Sequence, residues 1–259
     1  MDRSATARTA VSALMVGILA SCQLDGTQGT VDRSPYTIVR VFEDFSLGAP
    51  GESWSFRTPV LWRVTEVDER PILQMAVQPD RPMLTGVRRP QEYAIYNAYE
   101  FRSFAMACYV RIDTATDVRG RDACIFFGRR DRTHFYYAHL SNYSDPWHNN
   151  VIRVDGDTRK SLIPADAGTR PAITDKSWHR VDVVRDVDEG TIRVWVDLDR
   201  DPDLPPVFEV ADRTYEWGFI GLGSFDDHAS FAQIAIEGQA RRPSAPPAID
   251  PPGLGTSRD

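Results

Sequence analysis

What most constrains this chain is the way its apolar residues are interrupted. Short runs rich in Val, Ile, Phe, Tyr and Trp are cut again and again by Gly, Pro, Asp and Asn, and no long segment carries a helical period. The pattern predicts strands near 38–46, 60–66, 71–77, 92–97, 101–113, 122–128, 134–141, 150–155, 177–186, 190–198, 206–210, 216–223 and 230–237. Many strands without intervening helices imply an all-β chain, a two-sheet jelly-roll β-sandwich. A length of 259 residues, 42% of them hydrophobic, is enough for one sizeable core in a single domain.

Several runs alternate strictly. Phe104, Met106, Cys108, Val110 and Ile112 make one apolar face, with Ala105, Ala107, Tyr109 and Arg111 opposite. Ile192, Val194, Val196 and Leu198 do the same in the run TIRVWVDL. The densest stretch is Asp122 to Arg153, where aromatic, histidine, arginine and carboxamide side chains crowd together. If 128–133 turns a hairpin, Phe127 pairs with Phe135, Ile125 with Tyr137 and Ala123 with His139. Cross-strand neighbours share a face. The core side then holds Cys108, Cys124, Phe126, Tyr136 and Leu140. The other side holds Tyr109, Arg111, Phe127, Tyr137 and His139, and suits a shallow groove. This register brings Cys108 near Cys124, where a disulfide and two buried free thiols are both open.

The N-terminus reads as a targeting segment. Arg3 and Arg8 precede the apolar run 11–20, too short to span a bilayer, and Leu19-Ala20-Ser21-Cys22 follows. This string resembles a bacterial lipobox, which implies a signal peptide over 1–21, lipidation of Cys22 and a membrane anchor through that lipid. Gln23 after the cysteine implies outer-membrane sorting, by resemblance to Gram-negative lipoproteins. Residues 22–37 then form a polar tether, 38–238 the sandwich, and the Pro-rich segment 239–259 a disordered tail. The net charge of -7 leaves no electrostatic footprint for nucleic acid.

The run Val41-Phe42-Glu43-Asp44-Phe45, then Trp54, Trp62-Arg63-Val64, HFYYAH (134–139), HNNVIRVDG (148–156), SWHRVDVVRD, GTIRVWVD, GFIGLGSFDD and FAQIAIEG resembles the concanavalin A-like lectin/glucanase superfamily. It is similar in particular to exported bacterial proteins described as family-16-like or 3-keto-disaccharide hydrolase-like. The resemblance covers most of 38–238 and implies the two-sheet jelly roll. It says little about activity, because the fold carries lectins, hydrolases, lyases and adhesion modules. Two departures count against family-16 chemistry and a calcium site. Glu66-Val67-Asp68-Glu69-Arg70-Pro71 lacks the last Glu of Glu-x-Asp-x-x-Glu and reads as a charged turn. Ala232 follows Phe231 where related sandwiches often place an Asp.

Two groups of residues are the candidates for carbohydrate binding. Tyr109, Arg111, Tyr137 and His139 offer aromatic faces and hydroxyl-binding groups; Trp147, His148, Asn150 and Arg153, with Asn149 between, suit a loop at a groove mouth. His134, at a hairpin end, is expected to be structural. A weak structural calcium site is expected where Asp44 meets Asp226 and Asp227. Zinc spacing, a nucleophile elbow and a phosphate loop are absent from the sequence. The expected function is an envelope-anchored protein that binds polysaccharide or oligosaccharide. Its alternatives are a glycan-active enzyme (a hydrolase of modified disaccharides or a uronate lyase) and a structural envelope module.

Overall fold

The computed structural model describes residues 36–48, 50–76 and 88–252. The expected signal peptide over 1–21, Cys22 and nearly all of the expected tether lie outside the described residues. Fourteen strands are described: β1 (Thr37–Glu43), β2 (Trp54–Phe56), β3 (Trp62–Val67), β4 (Arg70–Met75), β5 (Glu92–Ile112), β6 (Asp122–Arg129) and β7 (His134–Ser141). They continue with β8 (Asn150–Asp155), β9 (Thr158–Ser161), β10 (His179–Asp186), β11 (Thr191–Val196), β12 (Phe208–Ala211), β13 (Gly218–Ser224) and β14 (Ala229–Arg241). The short β2 and β9 went unseen in the sequence, because three or four residues carry too little alternation to register.

The runs at 92–97 and 101–113 are one strand. β5 is 21 residues long and changes partners along its length. Its first half lies between β2 and β13, with Ile95 opposite Ser55 and Gly221. Its second half lies between β10 and β14, with Met106 opposite Val183 and Ile236. One sheet therefore runs β12-β11-β10-β5-β14, with β1 and β4-β3 added to β14, and the other runs β2-β5-β13-β6-β7-β8-β9. The inner faces close on each other: Phe104 of β5 meets Phe127 of β6 at 6.1 Å between ring centroids, and Phe127 stacks on Tyr136 of β7 at 5.4 Å. The charged turn expected at 66–71 is present, with Asp68 and Glu69 both at positive φ, the geometry that keeps two twisted strands in register.

The alternation expected for β5 and β7 stands, but that of β6 is inverted. Phe126 pairs with Tyr137, Cys124 with His139 and Phe127 with Tyr136, one residue away from the expected register. The cause is a bulge. Arg130 N donates to His134 O, so Gly128 and Arg129 together oppose Phe135 alone. Gly128 takes the extra residue at φ 56. A slip of one residue exchanges the faces of the strand. Cys124 and Phe126 therefore join Tyr137 on the outer face, while Ile125 and Phe127 enter the core between the sheets. Cys108 and Cys124 consequently sit in different apolar clusters, both as buried free thiols.

A second correction concerns the tail. Residues 239–241 complete β14, and the chain then lies as a strap across the second sheet's outer face. Asp250 is buried there. Its carboxylate accepts from Arg89 Nη2 at 3.0 Å and from the Tyr93 hydroxyl at 2.8 Å. Arg129 donates to Ala248 O, Arg57 to Pro251 O, and Ile249 packs against the Tyr93–Phe126 cluster. Proline-rich composition costs such a segment little ordering entropy, and a buried ion pair holds it down. Residues 253–259 lie outside the described residues.

Candidate functional site

The outer face of the second sheet carries Asp122 and Cys124 on β6, Tyr137 and His139 on β7, and Asn150 and Ile152 on β8, aligned by direct cross-strand pairing. At the Asp122 end of this face the loop 142–149 folds over the strands. Asp145 Oδ1 accepts from Trp147 N at 2.7 Å and from His148 N at 2.8 Å, and pairs with His148 Nδ1 at 2.9 Å. Burial alone would raise the Asp145 carboxyl; these donors hold it below the ordinary range. Asn149 takes a left-handed backbone at φ 54, which Asn tolerates. Its carboxamide accepts from Ser141 N and Ala172 N and donates to Tyr143 O. Asn150 is likewise consumed, donating to Ser161 Oγ and Ile163 O and accepting from Ile163 N. Asn149 and Asn150 build the loop and offer no free polar atom to a ligand.

The loop leaves a cleft of about 500 Å³, lined by Arg88, His139, Trp147, His148, Arg159 and Phe225. Its aromatic wall is continuous: His139 lies 4.8 Å from His148 and 5.0 Å from Phe225 between ring centroids. The Arg159 guanidinium lies 4.4 Å from the Trp147 ring and 5.4 Å from Phe225, and Arg88 is also 5.4 Å from Phe225. Trp147 is 41% exposed. Tyr137 forms the floor beneath His139 and Phe225; its hydroxyl is buried without a hydrogen-bond partner, and burial pushes that hydroxyl's pKa up.

Behind His139 lies an acidic pair. His139 Nδ1 donates to Trp147 O at 2.7 Å, which leaves Nε2 facing Asp122 Oδ2 at 3.2 Å, close enough for an ion pair but without hydrogen-bond alignment. The contact is attractive only when Nε2 also carries a proton. Burial would raise the Asp122 carboxyl, but the His139 charge, Ser224 Oγ and Phe225 N outweigh it and hold it low. Asp227 Oδ2 accepts from Asp122 N at 2.9 Å; burial first, and then the Asp122 charge, push its carboxyl up to about 7. A second cleft of about 660 Å³, sharing Arg88 and His148 with the first, opens onto Asp122, Asp226 and Asp227.

The structure separates the other expected residues. Tyr109 donates to Asp199, and Arg111 pairs with Asp113 beneath Trp178; both lie on the other sheet, because β6 is not a neighbour of the second half of β5. Arg153 opposes Tyr136, so it shares the opposite side of its sheet from His139, and it bonds Asp212 and Thr214. Asp44 lines a hollow of about 350 Å³ beside Tyr109, apart from Asp226 and Asp227. Asp122 takes the place expected for Asp44: ligand atoms of Asp122, Asp226 and Asp227 lie within 4.8 Å of one another. Of the eight residues expected to bind sugar, the cleft gathers His139, Trp147 and His148, with Tyr137 below. Sequence reasoning missed Arg88, Arg159, Phe225 and Asp122. Asp122 was hidden because the expected register put its side of β6, with Cys124, in the core.

No protein-family model matches the chain, and no curated protein matches it. The winged bean acidic lectin complexed with methyl-α-D-galactose superposes with a TM-score of 0.50 at 9% identity, over 80% of this chain and 100% of the lectin. The carbohydrate-binding module CBM66 from Bacillus subtilis superposes with a TM-score of 0.49 at 15% identity, over 71% of this chain and 95% of that one. A pseudo β-1,3-glucanase of Mycobacterium tuberculosis gives 0.47 at 12% identity, over 76% and 98%. Strand order, the two-layer core and the match to the whole of a legume lectin establish one point: the chain has the concanavalin A-like lectin/glucanase fold.

Proposed function

We propose that the protein binds a glycan in the cleft of Trp147, His148 and Phe225. The observation that carries this reading is the half-exposed Trp147 ring at the mouth of a cleft walled by further rings and two guanidinium groups. Flat apolar rings stack on the C–H faces of sugars, and the polar groups around them fix orientation. Sugar binding by the winged bean lectin, whose fold this chain shares, supports the reading. Among the described residues that line this cleft there is no carboxylate; Asp122, Asp226 and Asp227 open onto the adjoining cleft. His139, with 2% of its side chain exposed, is placed to hold the Trp147 backbone rather than to reach a substrate.

The test is a polysaccharide and oligosaccharide panel read for binding and for turnover. Trp147→Ala is expected to weaken binding at least ~10-fold, the order of one lost stacking contact, with an unchanged thermal midpoint. Unchanged binding in that variant sinks the assignment, and new reducing ends or unsaturated products would replace it with the enzyme reading.

The address belongs to the same proposal. Lipid on Cys22 holds the protein at the bacterial envelope, in the outer membrane, with the residues up to 37 as tether. The string Leu19-Ala20-Ser21-Cys22 supports this. Labelled fatty acid should enter the wild type and not Cys22→Ser. Calcium is proposed at Asp122, Asp226 and Asp227, whose ligand atoms lie within 4.8 Å of one another. The expected result is a rise in thermal midpoint with calcium and its reversal by EDTA.

A further inference from the structure

Several arginines of this protein are neutralised by carboxylates. Arg89 pairs with Asp250, Arg102 with Asp188, Arg153 with Asp212, Arg180 with Asp182 and Arg193 with Glu209. Arg88 and Arg159 differ from these. Neither has a carboxylate partner among the described residues. The Arg159 side chain makes one hydrogen bond, Nη1 to Arg88 O at 3.4 Å, and its Nε is buried without a partner. Both guanidinium groups lie 5.4 Å from the centre of the Phe225 ring and line the same cleft. The chain as a whole carries net -7, against which two guanidinium groups in one cleft stand out.

The polar inventory of the cleft is one-sided. Guanidinium and indole groups donate hydrogen bonds and accept none, and the one ring acceptor beside them is Nε2 of His148, whose Nδ1 faces Asp145. A neutral sugar presents hydroxyls that both give and take, and its sites normally supply carboxylates or carboxamides as acceptors. Here Asn149 and Asn150 are consumed in the loop, and among the described residues that line this cleft there is no carboxylate; those of Asp122, Asp226 and Asp227 open onto the adjoining one. An excess of donors over acceptors, on a partly desolvated aromatic wall, suits an oxyanion, and the planar fork of arginine binds one through two parallel N–H groups.

We propose that the cleft selects a sugar residue bearing a pendant oxyanion, a uronate carboxylate or a sulfate ester, held by Arg88 and Arg159 while its ring lies against Trp147. This rests on the glycan-binding reading above and names its ligand class. The experiment titrates the purified protein by calorimetry with oligogalacturonate, its methyl ester, a neutral galactan oligosaccharide and the sulfated form of that oligosaccharide. At least one anionic form is expected to bind ten-fold or more tighter than its neutral counterpart, with affinity falling as salt rises. Preference for oligogalacturonate over its ester assigns a carboxylate; preference for the sulfated galactan over the neutral one assigns a sulfate. Arg159→Gln and Arg88→Gln should each reduce that preference at least three-fold and keep the thermal midpoint. Equal binding of charged and neutral forms overturns the proposal and leaves the glycan site standing. Absence of binding to all four, with the wild type folded, overturns both.

Discussion

Asp227→Asn isolates the electrostatic cost of the acidic pair behind the cleft. Asp227 stands at about 7 in the folded protein against an ordinary 3.8, through burial and then the Asp122 charge. From about pH 4 to pH 7 the folded protein keeps a proton on Asp227 that the unfolded chain has lost, so raising the pH through this window removes stability. Below it both states are protonated and the penalty vanishes; above it the penalty is complete. At about 1.4 kcal/mol per unit, a displacement of roughly three units sets a ceiling of about 4 kcal/mol, and sharing the repulsion with Asp122 brings the expected value to about 2. The asparagine keeps an oxygen for Asp122 N and carries no charge. Asp122 itself, held low, loses its contribution as the pH falls through the acid range, in wild type and variant alike, so it cancels from the difference. Thermal melts in EDTA, which keeps cations from masking the effect, should give equal midpoints near pH 4. Near pH 8 the variant should melt about 4–8 °C above wild type. Parallel midpoint curves between those limits would refute the reasoning, since an exposed or unrepelled Asp227 gives no pH-dependent difference.

Asp250→Ala removes the anion from Arg89 and the acceptor from the Tyr93 hydroxyl. It should cost about 3–5 kcal/mol in urea denaturation, whereas Ser244→Ala on the exposed part of the strap should stay within about 0.5; equal effects would mean that the strap is not anchored at Asp250. Burial, and after it the charges of Asp182 and Asp122, push the Cys108 and Cys124 thiols far up. Both should resist Ellman's reagent in the native protein and react fully in denaturant; a disulfide, or rapid native labelling, contradicts the fold.

The fold was legible because alternation survives in any long strand. Phe104 to Ile112 and Ile192 to Val196 face inward as their pattern requires. The site was legible in part for the same reason. Tyr137 and His139 lie on the side of β7 that parity gives them, and Trp147-His148 sits in the loop that follows. Gly128 defeated the rest. One residue at φ 56 reversed β6, moving Cys124 and Phe126 outward and hiding the kinship of Asp122 with His139. Tyr109 and Arg111 were misplaced because a local pattern does not show that β5 leaves one sheet for the other. Arg88, Arg159 and Phe225 reach the cleft from three distant segments, each in a sequence that resembles a polar turn.

The first strand has consequences for how this molecule comes into being. β1 pairs along its whole length with β14, Thr37 opposite Ala240 and Glu43 opposite Ile234. The first residues of the domain to be synthesised thus have their hydrogen-bonding partner among the last. Until the carboxyl-terminal strand has been made, β1 has no ladder, the second half of β5 lacks one edge, and the core between the sheets stays open to water. A nascent chain with this connectivity cannot close its sandwich piecemeal, and its folding is slow because its decisive contacts span nearly the entire domain. Completion, rather than initiation, is the step at which the domain becomes a domain.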